Sequence, residues 1–160
     1  MGERSHRSEP LLGIKKILQL IASLRHSFSV LLLTETWATV ANQSLLIIPG
    51  YSCVMKPHAN RIGGGVAIYV KDILSYSVRN DINLINCDNV DFAFVQLIVG
   101  ECNFTVGVIY RPPDQDLTLF NIAYSKLLDK LVGERNKCFI GGDFNITLFN
   151  CENHPDTNVF

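Results

Sequence analysis

Apolar residues at Leu11, Ile14, Ile17, Leu18, Ile21 and Leu24 recur at the spacing of one helical face. Ser8 is placed to cap that helix and Pro10 falls in its first turn. The pattern then changes. Ser29-Val30-Leu31-Leu32-Leu33 is apolar on both faces, as a buried strand would be, and turns polar at Thr34-Glu35-Thr36-Trp37. Pro49-Gly50-Tyr51 marks a turn, and Gly63-Gly64-Gly65 breaks the chain before a strand over Val66-Ala67-Ile68-Tyr69-Val70. Two more strands follow, 92–99 and 104–110, and the short polar connection Gly100-Glu101-Cys102-Asn103 predicts an antiparallel hairpin. Pro112-Pro113 ends the second of them, because proline has no N–H for the ladder.

A helix is expected from Leu117 to Val132, capped by Asp116. Leu117, Phe120, Tyr124, Leu127, Leu128 and Leu131 share its apolar face. Cys138-Phe139-Ile140 reads as a last buried strand that breaks at Gly141-Gly142, with Cys138 as core filler. Strands outnumber helices and one connection is a hairpin. The class is therefore α+β with a largely antiparallel core.

Length and composition narrow this to one globular domain. The chain has 160 residues, 48% hydrophobic and 18% charged, which excludes disorder and permits a sizeable core. Its five cysteines (53, 87, 102, 138 and 151) form no C-x-x-C pair, so neither a zinc ribbon nor a disulfide framework is expected. That spacing, with no signal peptide and no apolar stretch long enough to span a bilayer, places the chain inside the cell, nuclear or cytoplasmic. Nothing in it calls for an obligate oligomer.

The formal net charge of −1 excludes binding nucleic acid by bulk charge, yet it hides an asymmetry. The first eighty residues carry nine Lys+Arg against four Asp+Glu, and the last eighty carry five against eleven. Two readings stand: a basic rim around an acidic pocket, or uneven solvated surfaces.

Three apolar strands finish in polar groups. Glu35 follows 30–33, Tyr110-Arg111 follows 106–109, and Asp143 with Asn145 follows 139–140. A carboxylate at the end of a buried strand sits on a rigid element and still reaches solvent. Two of them offer hard oxygen ligands to Mg²⁺, which binds few protein groups and keeps several waters.

The strings Leu32-Leu33-Thr34-Glu35-Thr36-Trp37, Gly63-Gly64-Gly65 with its strand, Ile109-Tyr110-Arg111-Pro112-Pro113 and Gly141-Gly142-Asp143-Phe144-Asn145 occur in that order. Together, from about Leu11 to Phe149, they resemble the endonuclease domain of non-LTR (LINE-type) retrotransposons. That domain belongs to the endonuclease/exonuclease/phosphatase superfamily, with the apurinic endonucleases and deoxyribonuclease I. The resemblance implies a four-layer α/β sandwich of two sheets with helices outside, here partial. It implies nicking of target DNA with Mg²⁺ or Mn²⁺, alongside a reverse transcriptase domain of the parent element. Glu35 would be the metal ligand, Tyr110 would sit beside the scissile phosphate, and Asp143 would activate water or handle the leaving oxygen. Asn145 would hydrogen-bond the phosphate and orient the carboxylate. Arg111 would contact DNA phosphate or be a solvated strand-end charge; the same choice applies to Arg61.

Two strings of that family have no match. Ser5-His6-Arg7-Ser8 has Ser where an Asn would stand, and no Ser-Asp-His string follows Asn145, since His154 has other neighbours. The expectation is a domain truncated at both ends and inactive or weakly active. The alternatives are a phosphoesterase of the same superfamily acting on a small phosphoester, and a non-catalytic remnant.

Overall fold

The computed structural model describes residues 9–24, 26–39, 41–58, 63–134 and 136–146. Its elements are α1 (Glu9–Leu24), β1 (Val30–Thr34), β2 (Tyr51–Lys56), β3 (Val66–Lys71), β4 (Ser75–Val78), β5 (Asp91–Val99), β6 (Cys102–Tyr110), α2 (Leu117–Gly133) and β7 (Lys137–Asp143). Ser8, Arg61, His6, Cys151 and His154 lie outside the described residues, as do the side chains of Leu11 and Ile14.

Among the described residues seven strands form two sheets, ordered β1-β3-β2 and β4-β5-β6-β7. All neighbours are antiparallel except β6 and β7, which α2 joins as a parallel crossover. The expected hairpin is present, with Val99 opposite Cys102 and Gly100 turning the chain at a φ of 61°.

Alternation along the strands divides the core into three layers. Val66, Ile68 and Val70 of β3 face Ala93, Val95, Leu97, Val106 and Val108 between the sheets. The other face of β3, Ala67 and Tyr69, packs with Leu31, Leu33, Ile17 and Leu18, so α1 covers the first sheet. Phe94 and Ile109 point the opposite way, onto Phe120, Ala123, Leu127 and Leu131 of α2. The result is helix, sheet, sheet, helix, the four-layer sandwich that the resemblance implies.

Capping of α2 is as expected, the Asp116 carboxylate accepting the Leu119 N–H at 2.8 Å. At the other end of α2, Glu134 and Asp81 both grip the Arg79 guanidinium, at 2.6 and 2.7 Å, and Lys130 reaches Asp81 at 2.7 Å. Hydrogen bonds from Arg79 hold the Asp81 carboxyl far below the ordinary carboxylate range.

Several expectations need correction. Strands β2 and β4 carry no clear alternation and were not expected; each pairs with a single neighbour, so half-exposed polar residues suffice. Leu24 is exposed rather than buried on the face of α1. Strand β7 runs through Gly141-Gly142 instead of breaking there, and Cys138 and Phe139 are exposed. The reason is position: among the described residues β7 is an edge strand, hydrogen-bonded to β6 alone.

No helix among the described residues is long and apolar enough to cross a membrane. The cysteines at 53, 87, 102 and 138 are free thiols.

Candidate functional site at the shared end of the two sheets

Glu35 comes immediately after β1 in the left-handed backbone region, at a φ of 53°, and Trp37 follows at 51°. This loop runs beside the glycine turn that precedes β3. The Thr36 N–H donates to the Gly65 carbonyl at 3.2 Å and the Trp37 N–H to the Gly64 carbonyl at 2.9 Å. The glycine turn answers: the Gly64 N–H donates to Glu35 Oε2 at 3.3 Å, and the Trp37 indole N–H donates to the same oxygen at 2.9 Å. Two donors on one oxygen hold an exposed carboxylate in a fixed direction.

Gly64 cannot be any other residue without movement. Its φ is 72°, and a Cβ there would lie 2.8 Å from Asp91 Oδ2 and 3.5 Å from the ring of Tyr110. Tyr110, the last residue of β6, therefore borders the Gly64 turn from the second sheet. It stands between Asp91 on β5 and Asp143 on β7 in the strand register. Glu35, Tyr110 and Asp143 thus lie in sequence along one end of the sandwich.

The chain beyond β7 is fastened to Arg111. The Arg111 N–H donates to the Asp143 carbonyl at 2.9 Å, and the Asn145 side-chain amide returns a bond to the Arg111 carbonyl at 2.8 Å. Asn145, itself left-handed at a φ of 48°, also donates its backbone N–H to Asp143 Oδ1 at 3.0 Å. So Asn145 orients the Asp143 carboxylate through its main chain.

Arg111 occupies neither of its expected places. It is 5% exposed, with Nη1 donating to the Phe144 and Asn145 carbonyls at 3.1 Å and Nη2 to the Gln115 carbonyl at 2.6 Å. Its guanidinium lies 5.9 Å from the centre of the Phe120 ring. Nη1 and Nη2 are taken up by backbone carbonyls while Nε is buried without a partner, and the group clamps the loop that carries Asp143 and Asn145. Arg111→Met, which keeps the volume and removes the donors, is expected to cost about 2–4 kcal/mol in urea denaturation. Lysine should not rescue it, since one ammonium cannot span the three acceptors of a planar fork.

Pattern-based reasoning missed a second pair here. The His58 imidazole Nδ1 lies 2.7 Å from Asp91 Oδ1, with side chains 3% and 9% exposed. Asp91 Oδ2 accepts the Gly65 N–H at 2.8 Å. The residues are 33 positions apart and neither sits in a recognisable string; the one available signal is an acidic residue opening an otherwise apolar strand. Lys56, with its ammonium 5.0 Å from the Phe92 ring centre, adds a basic group close by.

Among the described residues no group of three or more His, Cys, Asp or Glu side chains converges to cage a metal. Mg²⁺ binds through one or two carboxylates and completes its shell with water. Glu35, exposed and held by two donors, suits that role.

The sequence profile of the Endonuclease/Exonuclease/phosphatase family matches residues 5–155. No curated protein sequence matches the chain. Among solved structures, truncated Caenorhabditis elegans TDP2 superposes with a TM-score of 0.61 at 15% identity, covering 89% of this chain and 58% of that one. The endonuclease domain of TRAS1, a telomere-specific non-LTR retrotransposon, does so at 0.60 and 15%, covering 85% and 54%. ANGEL2, a 2',3'-cyclic phosphatase, gives 0.55 at 21%, covering 82% and 42%. The chain therefore spans roughly half the length of these structures, and at such identities the likeness is one of fold.

Proposed function

The chain belongs to the Endonuclease/Exonuclease/phosphatase family, and from that premise we propose that it carries part of a Mg²⁺- or Mn²⁺-dependent DNA endonuclease site of a retrotransposon. Phosphoester hydrolysis is what the family does; DNA as substrate, the retroelement origin and an accompanying reverse transcriptase are this reading's own. The observation that supports it is a series of neighbours: Glu35 bonded to the Gly64 turn, that turn beside Tyr110, and Tyr110 paired with Asp143, whose carboxylate accepts the Asn145 N–H.

Glu35 would hold the divalent cation, which when bound lowers the pKa of water and neutralises charge on phosphoryl oxygens. The residues of this chain do the rest by position. Asp143, its Oδ1 engaged by the Asn145 N–H, offers a carboxylate to take a proton from water or return one to the leaving oxygen. Tyr110, beside the Gly64 turn and paired with Asp143, would stand next to the phosphate. The Asn145 side chain reaches the phosphate by exchanging its bond to the Arg111 carbonyl for one to a phosphoryl oxygen.

No Ser-Asp-His string is present in the sequence, and general-base assistance of that kind is worth roughly 10²–10⁴-fold. Slow nicking is therefore expected. The purified chain should convert supercoiled plasmid to open circles in Mg²⁺ over hours and stop on addition of EDTA. Hydrolysis of a small phosphoester without plasmid nicking would replace DNA as the substrate. Failure to act on either, with a melting temperature indifferent to Mn²⁺, would leave a folded, non-catalytic chain.

A further inference from the structure

The His58–Asp91 pair has no part in the chemistry above, yet it is joined to Glu35 by a short chain of hydrogen bonds. Asp91 opens β5 in one sheet; His58 follows β2 in the other. Each carboxylate oxygen of Asp91 has its own donor, His58 Nδ1 at 2.7 Å and the Gly65 N–H at 2.8 Å. With both oxygens engaged and the side chain nine-tenths buried, Asp91 is not itself placed to bind a cation. What it holds is the turn. The next N–H along, that of Gly64, is a donor to Glu35 Oε2, and the Gly64 carbonyl receives the Trp37 N–H.

We propose that His58 and Asp91 are a positioning pair that pins the Gly64–Gly65 turn and, through it, aims the Glu35 carboxylate at the divalent cation. This rests on the assignment of Glu35 as the metal-holding residue. The physical case is one of satisfaction. A carboxylate accepts only, so the bond to His58 requires a hydrogen on Nδ1 and fixes the ring's orientation. Removing either partner leaves a buried polar group unpaired, and the turn must then move to find it one. Glu35 depends on that turn because its own loop, with left-handed residues at 35 and 37, has little room to adjust. Partners of this outer kind alter metal affinity by about 10–100-fold in other sites.

Asp91→Asn is the primary test, being equal in size but unable to accept from both donors. Mn²⁺ affinity, read by the quenching of its paramagnetic signal, is expected to fall at least tenfold. Emission of Trp37, the single tryptophan of the chain, should shift in the metal-free protein, because its indole shares Oε2 with Gly64. His58→Leu should reproduce both effects. His58→Asn, whose amide nitrogen stands where Nδ1 was, should restore them, and these two variants decide the matter if Asp91→Asn does not fold. A fall in melting temperature with unchanged Mn²⁺ affinity and unchanged Trp37 emission would make the pair a plain tie between sheets and overturn the proposal. Glu35→Gln serves as the control. If the unsubstituted protein binds no Mn²⁺ that this substitution removes, the metal assignment fails and the proposal with it. If that binding is removed while the Asp91 and His58 variants leave affinity untouched, only the positioning role fails.

Discussion

Glu35→Gln is expected to abolish any stabilisation by Mn²⁺ and to take plasmid nicking below detection. For a chain of this size, metal at a hundred times its dissociation constant adds about 2.7 kcal/mol to the folded state. That corresponds to a rise of roughly 5–10 °C in melting temperature. The glutamine keeps an oxygen that accepts from Trp37 and Gly64, so the loop should survive. What disappears is the negative charge, the quantity a hard divalent cation requires. Differential scanning fluorimetry with and without Mn²⁺, beside the plasmid assay, checks both halves. A variant that still gains stability from Mn²⁺ places the cation elsewhere in the molecule.

Gly142→Ala is expected to detach β7 or unfold the chain. Gly142 has a φ of 148°, and a Cβ there would fall 1.8 Å from the Ile109 carbonyl oxygen, 2.8 Å from its carbon and 2.9 Å from Ile109 N. None of these atoms can step aside, because Ile109 is fully buried on an interior strand and paired with Gly142 in the ladder. The loss should exceed about 4 kcal/mol, comparable with the whole stability of a small domain. Gly141→Ala is the internal comparison: its new Cβ meets only the end of the Leu32 side chain, at 3.0 Å, and should cost about 1 kcal/mol. Urea denaturation distinguishes the two. Equal midpoints would mean that β7 shifts on β6 more freely than a hydrogen-bonded ladder should.

The parts of the fold that could be read from the sequence are those where burial leaves a period or an unbroken apolar run. Strands β3, β5 and β6, enclosed on both faces, read as nearly continuous apolar runs, and α2 repeats its apolar residues every three or four positions. Strands β2 and β4 left no such trace, since an edge strand with mixed exposure has no rule to obey. Strand β7 misled for the opposite reason: Cys138-Phe139-Ile140 is apolar without being enclosed.

Strand ends were legible: Glu35 directly follows β1, Tyr110 and Asp143 close β6 and β7, and Asn145 lies two residues beyond. Their roles came from motif strings rather than from pattern. Arg111 was beyond reach, its partners being main-chain carbonyls that any residue supplies. So was the bond between His58 and Asp91, which exists only once two sheets stack.

Three of the four described non-glycine residues with positive φ, Glu35, Trp37 and Asn145, stand at this one end of the molecule. For glutamate or tryptophan that backbone costs about 1–2 kcal/mol each, whereas glycine would occupy it freely. Thermostability alone thus pulls positions 35 and 37 toward glycine. A lineage selected only to stay folded would drift that way, so the acid and the indole at those positions are a standing expense charged against robustness.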